Sequence, residues 1–290
     1  MKDYALIATA YNNEIRIYAS QTTNLVRKAV EIHDTWPTAT AALGRFLTVS
    51  VMMGLMYKDD ERITLQIKGD GPINTMLVEA NSKGEVRGDI INPHVYIRHE
   101  TKGKLDVGAA VGNGFLHVTK DLGMRSMFTS STELVSGEIA EDFAHYFTIS
   151  EQTPTAVSLG VLVEQEKLVR SSGGFIIQVM PDATDETITL LENTIHKVGP
   201  VSRWFDEGKS LESLISALSN NTEKILDQRD ISYTCNCNKK KFAVSLSALD
   251  NESMDSLIED NGIEVVCHFC KSKYFFTKEE LIEIKKIQQS

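Results

Sequence analysis

The chain has 290 residues and a mass of 32.3 kDa, room for two domains or for one large domain with an appendage. Hydrophobic residues make up 42% and charged residues 24%, enough apolar material to exclude a disordered chain, and the low Gly and Pro content excludes a collagen-like one. A net charge of −10 argues against a general polyanion binder, because phosphate binding draws on surface Lys and Arg.

The first twenty residues hold no apolar run of signal-peptide length, since Asp3, Glu14 and Arg16 interrupt it, so the expected location is the cytoplasm. ALIATAY and EIRIYA flank Asn12 and Asn13, the pattern of a hairpin. Residues 22–33 have helical spacing, with Leu25, Val26, Ala29, Val30 and His33 on one face, and Trp36-Pro37 ends that helix. Residues 38–57 form the longest apolar stretch and would nearly span a bilayer. Arg45 inside it, and the recurring Thr and Ser, predict a buried, Met-rich core helix instead.

Strand-like runs follow at 63–67, 75–79 and 85–91, then a helical pattern at 138–147 and buried strands at 157–163 and 175–180. There is no βαβ rhythm, so the fold class is α+β. Residues 1–180 are expected to form this sheet-and-helix core domain.

Residues 181–231 carry a net charge of −5 and read as a helical, acidic linker. Ile188, Leu191, Ile195 and Val198 line one helix; Ser210 caps another lined by Leu211, Leu214, Ile215 and Leu218. Helices this short must dock to persist, on the first domain, on the C-terminal module, or on both. Residues 232–290 form that module. It ends in a helix opened by a Thr277/Glu280 capping box and running to the terminus.

All four cysteines lie in this last module, as Cys235-Asn236-Cys237 and Cys267-His268-Phe269-Cys270, with 29 residues between the pairs. Clustered cysteines in a cytosolic chain point to metal or redox chemistry rather than to a disulfide scaffold. Two local pairs of thiolates suit a closed tetrahedral Zn²⁺ site, one ion per chain, with no open position for a hydrolytic water. An inert zinc staple, a redox-active site and unbound thiols all remain open from spacing alone. C-x-C favours the redox alternative, because its disulfide closes a small strained ring. Lys239, Lys240, Lys241, Lys271 and Lys273 either hold sulfur as thiolate or form a solvated face. His268 is a weaker candidate ligand, because four sulfurs complete the set.

Enzyme motifs are missing. Gly208-Lys209-Ser210 lacks the first P-loop glycine, and Gly69-Asp70-Gly71 lacks the third dinucleotide glycine. Glu138, Glu141 and Asp142 are either paired carboxylates or an acid-rich helix start. No catalytic residue and no nucleotide site are predicted.

HDTWPTATAALGR (33–45), LVSGEIAEDFAHYFTISEQTP (134–154), GVLV (160–163), GGFIIQVMP (173–181) and the two cysteine pairs together resemble the redox-regulated heat-shock chaperone family, the thirty-three-kilodalton chaperonins, over essentially the whole chain. Gly112-Asn113-Gly114 and Ser171-Ser172 depart from the pattern without touching the cysteines. The resemblance implies a holdase rather than an enzyme. Cys235, Cys237, Cys267 and Cys270 would bind zinc when reduced and form redox-active disulfides when oxidised, with zinc release. It implies neighbouring disulfides, Cys235–Cys237 and Cys267–Cys270, the pairs that meet fastest in a loosened chain. It implies unfolding proteins as partners and a dimer on activation, without nucleotide, nucleic acid or membrane. The alternatives are a zinc-ribbon nucleic-acid binder or adaptor, with Lys239–Lys241 on phosphate, and a thiol oxidoreductase using Cys267 and Cys270.

Overall fold

A computed structural model describes residues 2–101, 103–124, 126–164 and 168–288 of the chain, which is α+β and divides into two units, residues 1–234 and 235–290. The opening hairpin is β1 (Tyr4–Ala10) and β2 (Ile15–Gln21). Tyr11, Asn12 and Asn13 turn it with φ of 50°, 55° and 70°, a left-handed conformation that Asn tolerates. Helices α1 (Thr23–His33) and α2 (Pro37–Gly54) follow, with Pro37 in the first turn, where its missing N–H costs nothing.

The rest of the first unit runs β3 (Arg62–Gly69), β4 (Thr75–Asn81), β5 (Glu85–Ile90), α3 (Val107–Val111), β6 (Gly114–Asp121), β7 (Phe128–Glu133), α4 (Ala140–Ile149), β8 (Thr155–Val163) and β9 (Val169–Val179). Then come α5 (Asp185–Val198), α6 (Val201–Asp206), α7 (Leu211–Ser219), β10 (Lys224–Asp230) and β11 (Ser232–Tyr233). An antiparallel five-stranded sheet has the order β10-β1-β2-β9-β8. A six-stranded sheet has the order β11-β5-β4-β3-β6-β7, antiparallel except for the parallel β11–β5 edge.

Helix α2 lies between the two sheets, and every one of its 18 residues except Pro37 and Arg45 is buried. That explains a membrane-like composition in a core helix: both faces meet apolar neighbours. Thr48 and Ser50 fit because their hydroxyls donate to carbonyls one turn back, at 2.7 and 2.6 Å.

The five-stranded sheet is apolar on both faces, and the strand period of two divides its residues. Ala5, Tyr18 and Ile176 point toward α1 and α2; Leu6, Ala8, Ile15, Ile17, Phe175 and Ile177 point the other way, into a second core with α5–α7. There Leu211, Leu214, Ile215 and Leu218 are fully buried, while Ile188, Ile195 and Val198 are only half-buried. The docking partner of the middle helices is thus the first domain's own sheet. Gly173 makes this seam possible, since a Cβ there would lie 2.3 Å from the Phe205 ring of α6.

Two details differ from the sequence reading, and one alternative is settled. The middle zone is not helical throughout: residues 224–230 form the edge strand β10, whose side chains alternate too weakly to signal it. β8 is mostly half-buried, because it is the other edge of its sheet. The acidic cluster is the acid-rich start of α4, as one of the two readings had it, and it also acts as a clasp. The buried Asp142 carboxylate accepts the backbone N–H groups of Val135, Ser136, Gly137 and Ile139 at 2.8–3.2 Å, and Glu138 pairs with Arg45 at 2.5 Å.

In the second unit, α8 (Lys239–Leu246) and α9 (Asn251–Glu259) precede the hairpin β12 (Gly262–Val266) and β13 (Lys273–Thr277), and α10 (Lys278–Gln288) closes the chain. Asn238 and Asp250 cap α8 and α9. The predicted capping box is present: Thr277 N donates to Glu280 Oε2 at 3.0 Å, and Glu280 N to Thr277 Oγ1 at 3.4 Å. Residues 289 and 290, where that helix was expected to end, lie outside the described residues. The core of this unit is small, consisting of Leu246, Met254, Phe276, Leu281 and Ile284 among the described residues.

Candidate metal centre

The first cysteine pair sits on the extended segment before α8, and the second on the turn between β12 and β13. That turn is closed by Lys271 N donating to Cys267 O at 2.8 Å and Cys267 N to Ser272 O at 2.9 Å. Lys271 itself takes φ 57°, which folds the chain so that both sulfurs of C-x-x-C point the same way.

All four Sγ atoms lie within 4.8 Å of one another. Two approaches run between the pairs: Cys237–Cys270 at 3.3 Å and Cys235–Cys267 at 3.7 Å. A tetrahedral ion with metal–sulfur bonds of about 2.3 Å needs sulfur–sulfur edges of about 3.8 Å. The cluster is therefore already near the required size, and its soft donors suit zinc. Cys267 is buried and the other three are half-buried, so the centre is reachable from solvent.

A second layer steadies the sulfurs. The Tyr274 hydroxyl lies 3.2 Å from Cys237 Sγ, and the Ser272 hydroxyl 3.2 Å from Cys270 Sγ. Protons are held unevenly across the cluster. Burial pushes the Cys267 thiol up to about 12, and burial likewise raises Cys237. At Cys270 burial also acts upward, but hydrogen bonds from the Ser272 hydroxyl and amide and from Cys237 and Cys235 outweigh it and bring the thiol down to about 6. Cys270 is thus the thiolate-prone member of the set.

The lysines do not supply that effect. Lys239 Nζ binds Glu280 at 2.5 and 2.7 Å, Lys241 Nζ donates to the Asn236 carbonyl at 2.8 Å, and Lys273 pairs with Glu264 at 2.9 Å. They neutralise and brace the unit, and their heads are committed to protein oxygens rather than presented as a phosphate-binding row. His268 is exposed, and the four-sulfur group does not include it. C-x-x-C lies on a hairpin turn, not at the start of a helix, which removes the context an oxidoreductase would use. Gly208-Lys209-Ser210 is a helix connection: Lys209 pairs with Glu207, and Ser210 Oγ caps α7.

Sequence reasoning missed the roles of Tyr274 and Ser272. Only their spacing from Cys270 could have suggested them, and that spacing is not a motif. No described helix is long and apolar enough to cross a membrane.

Comparison with known proteins agrees with this geometry. The Hsp33 protein family matches residues 3–277. The 33 kDa chaperonin of Acholeplasma laidlawii is 50% identical, over 98% of this chain and 99% of its own length. Those of Geobacillus kaustophilus and Bacillus subtilis are 45% and 44% identical, covering 99% and 96% of this chain and 99% and 97% of theirs. The crystal structure of the 33 kDa chaperonin of Thermotoga maritima superposes with a TM-score of 0.91 at 33% identity, covering 99% of both chains. A two-sheet core around a buried helix, a small four-cysteine unit and full-length similarity to these proteins lead to one conclusion: the chain belongs to the Hsp33 family.

Proposed function

We propose that the protein is a redox-regulated, ATP-independent holdase that binds unfolding proteins under oxidative stress in the cytoplasm. The observation that carries the proposal is the convergence of four thiols within 4.8 Å in a unit with a five-residue core. Cys235, Cys237, Cys267 and Cys270 would hold one Zn²⁺ in the reduced chain. The bound ion would supply folding free energy on the order of 10 kcal/mol to a unit that has little of its own.

Oxidation then acts as the trigger. Each disulfide forms as two thiolates lose two electrons to one hydrogen peroxide, which takes up two protons and leaves as two waters, and with two disulfides all four thiolate donors disappear. We expect Cys235–Cys237 and Cys267–Cys270 as products. Cross-pair contacts of 3.3 and 3.7 Å make Cys237–Cys270 and Cys235–Cys267 the competing products.

Loss of the unit would release β11 and β10, which enter it directly. β11 is two residues long, and β10 is an exposed edge strand with a bulge opposite Ile7 and Ala8. Helices α5–α7 would follow. Their departure would uncover their own apolar stripes together with Leu6, Ile15, Ile17, Phe175 and Ile177 of the sheet, a surface suited to unfolding proteins and to a second copy of the chain in a dimer.

The test is a titration of reduced protein with peroxide. Zinc release, read with a chromogenic chelator, should run in parallel with suppression of a heat-unfolding protein's aggregation, read by light scattering without nucleotide. Suppression by the fully zinc-bound, reduced protein would sink the redox reading; release without any suppression would sink the holdase.

A further inference from the structure

Two hydroxyls lie beside the sulfurs, one for each cysteine pair. The Tyr274 hydroxyl is 3.2 Å from Cys237 Sγ and 3.2 Å from the Cys237 carbonyl oxygen. The Ser272 hydroxyl is 3.2 Å from Cys270 Sγ. The two are held differently. Tyr274 is half-buried on β13, paired with Val265 of β12, and its ring packs on Phe242 of α8 with centroids 5.2 Å apart at 40°. Strand and ring contact together fix its hydroxyl over one sulfur. Ser272 is exposed on the turn; its carbonyl accepts Cys267 N at 2.9 Å, so the backbone is fixed while the hydroxyl shares its sulfur with water.

The chemistry of the donor set gives these contacts a direction. A thiolate carries no hydrogen, so when the four cysteines act as metal donors each hydroxyl must donate and each sulfur must accept. Every sulfur is then already a thiolate. The hydroxyls no longer decide how much thiolate is present; they decide how available its lone pairs are. A lone pair is what attacks an oxidant, and a charge-assisted hydrogen bond that draws on it is weakened along the way. A bond stronger in the starting state than in the transition state slows the step.

We propose that Tyr274 and Ser272 are positioning residues that restrain oxidation at Cys237 and Cys270 respectively, so that each cysteine pair reacts at a rate set by its own hydroxyl. The proposal rests on the redox reading above. The restrained step is attack of the Cys237 sulfur on one oxygen of hydrogen peroxide: an S–O bond forms, the O–O bond breaks, and the departing hydroxide takes a proton to become water. The Cys235 thiolate then displaces hydroxide from the Cys237 sulfenic acid, closing the disulfide and giving a second water. Cys270 and Cys267 follow the same scheme under Ser272.

The pairs can be read separately, because cleavage after Arg229, Lys239, Lys241 and Lys271 places them in different tryptic peptides, 230–239 and 242–271. Reduced, zinc-loaded full-length protein is mixed with hydrogen peroxide and dimedone, and early sulfenic acid labelling at each cysteine is read by mass spectrometry. Tyr274→Phe keeps the ring on Phe242 and should raise initial labelling at Cys237 about fivefold, leaving Cys270 unchanged. Ser272→Ala should raise labelling at Cys270 about twofold, leaving Cys237 unchanged. Both variants should hold one zinc per chain and keep the wild-type circular dichroism. Unchanged labelling at Cys237 in Tyr274→Phe overturns the proposal. So does slower labelling, which would make the hydroxyl a proton donor to the departing hydroxide. A parallel rise at both cysteines in either variant, or zinc loss from Tyr274→Phe, assigns the hydroxyls to packing and overturns it as well. The two failures separate. Wild-type protein that releases zinc without suppressing aggregation sinks the holdase and leaves these site-resolved rates standing; variants that label like wild type sink this proposal and leave the titration standing.

Discussion

Around α2 the chain is stabilised by side chains packed on both faces of a helix, with Phe46, Leu47, Val49 and Met52 fully excluded from water between two sheets. Among the described residues of 235–290 the buried apolar cluster is Leu246, Met254, Phe276, Leu281 and Ile284, and four cysteine sulfurs converge in the same unit. The first region gains its stability from area, at about 1.5–3 kcal/mol per buried large side chain, and no small chemical event can remove it. On the proposed function the second would depend on one bound ion, and chemistry at four atoms would remove it. The contrast teaches that a small core with four converging thiols is open to control by chemistry at a few atoms, while the large core is not.

The largest effect should come from removing the metal. Stripping zinc from reduced protein with a chelator, or replacing Cys235 by Ser, should unfold α8–α10 and lower helical circular dichroism. The heat transition of the two-sheet core, residues 5–180, should keep its midpoint. Loss of both together would erase the distinction between the regions.

Next, Phe46→Ala should cost about 3–5 kcal/mol in the first unit, read as a lower urea midpoint, while the zinc content per chain stays at that of the wild type. Asp142→Asn keeps the shape but puts an amide NH₂ where one of the two carboxylate oxygens accepted backbone N–H groups. It should cost about 2–3 kcal/mol in the same transition, again without zinc loss. Ser210→Ala, which removes the α7 cap, should cost about 1 kcal/mol and loosen only the middle helices, read as faster amide exchange over 211–219. The smallest effect is expected at Lys239. Its charge is spent on Glu280, so Lys239→Ala should leave the rate of peroxide-driven zinc release within about twofold.

Much of this was legible in the sequence because the signals were local or strongly periodic. The Asn12-Asn13 turn, the α2 stretch with its single Arg45, the Ser210 and Thr277 caps and the cysteine spacing each encode their structure within a few residues. What escaped depends on neighbours far along the chain. The strands β6 and β7 bury few of their residues, so their alternating pattern is weak. β10 carries charges on four of its seven residues, as an exposed edge strand can, and reads as the tail of a helical zone. Asp142 looked like one of three acids, and only the fold shows that four N–H groups converge on it. Tyr274 and Ser272 reach the sulfurs because β13 pairs with β12, which the cysteine motif does not encode.

The central claim is that a redox event in the small unit is converted into apolar exposure in the large one through β11, β10 and α5–α7. Amide hydrogen exchange on zinc-bound and peroxide-oxidised protein tests it most directly. Residues 235–288 should lose protection first on oxidation and residues 184–231 with them, while residues 5–180 stay largely protected. If α5–α7 keep full protection in oxidised protein that already suppresses aggregation, the conversion does not run through them and the claim is contradicted.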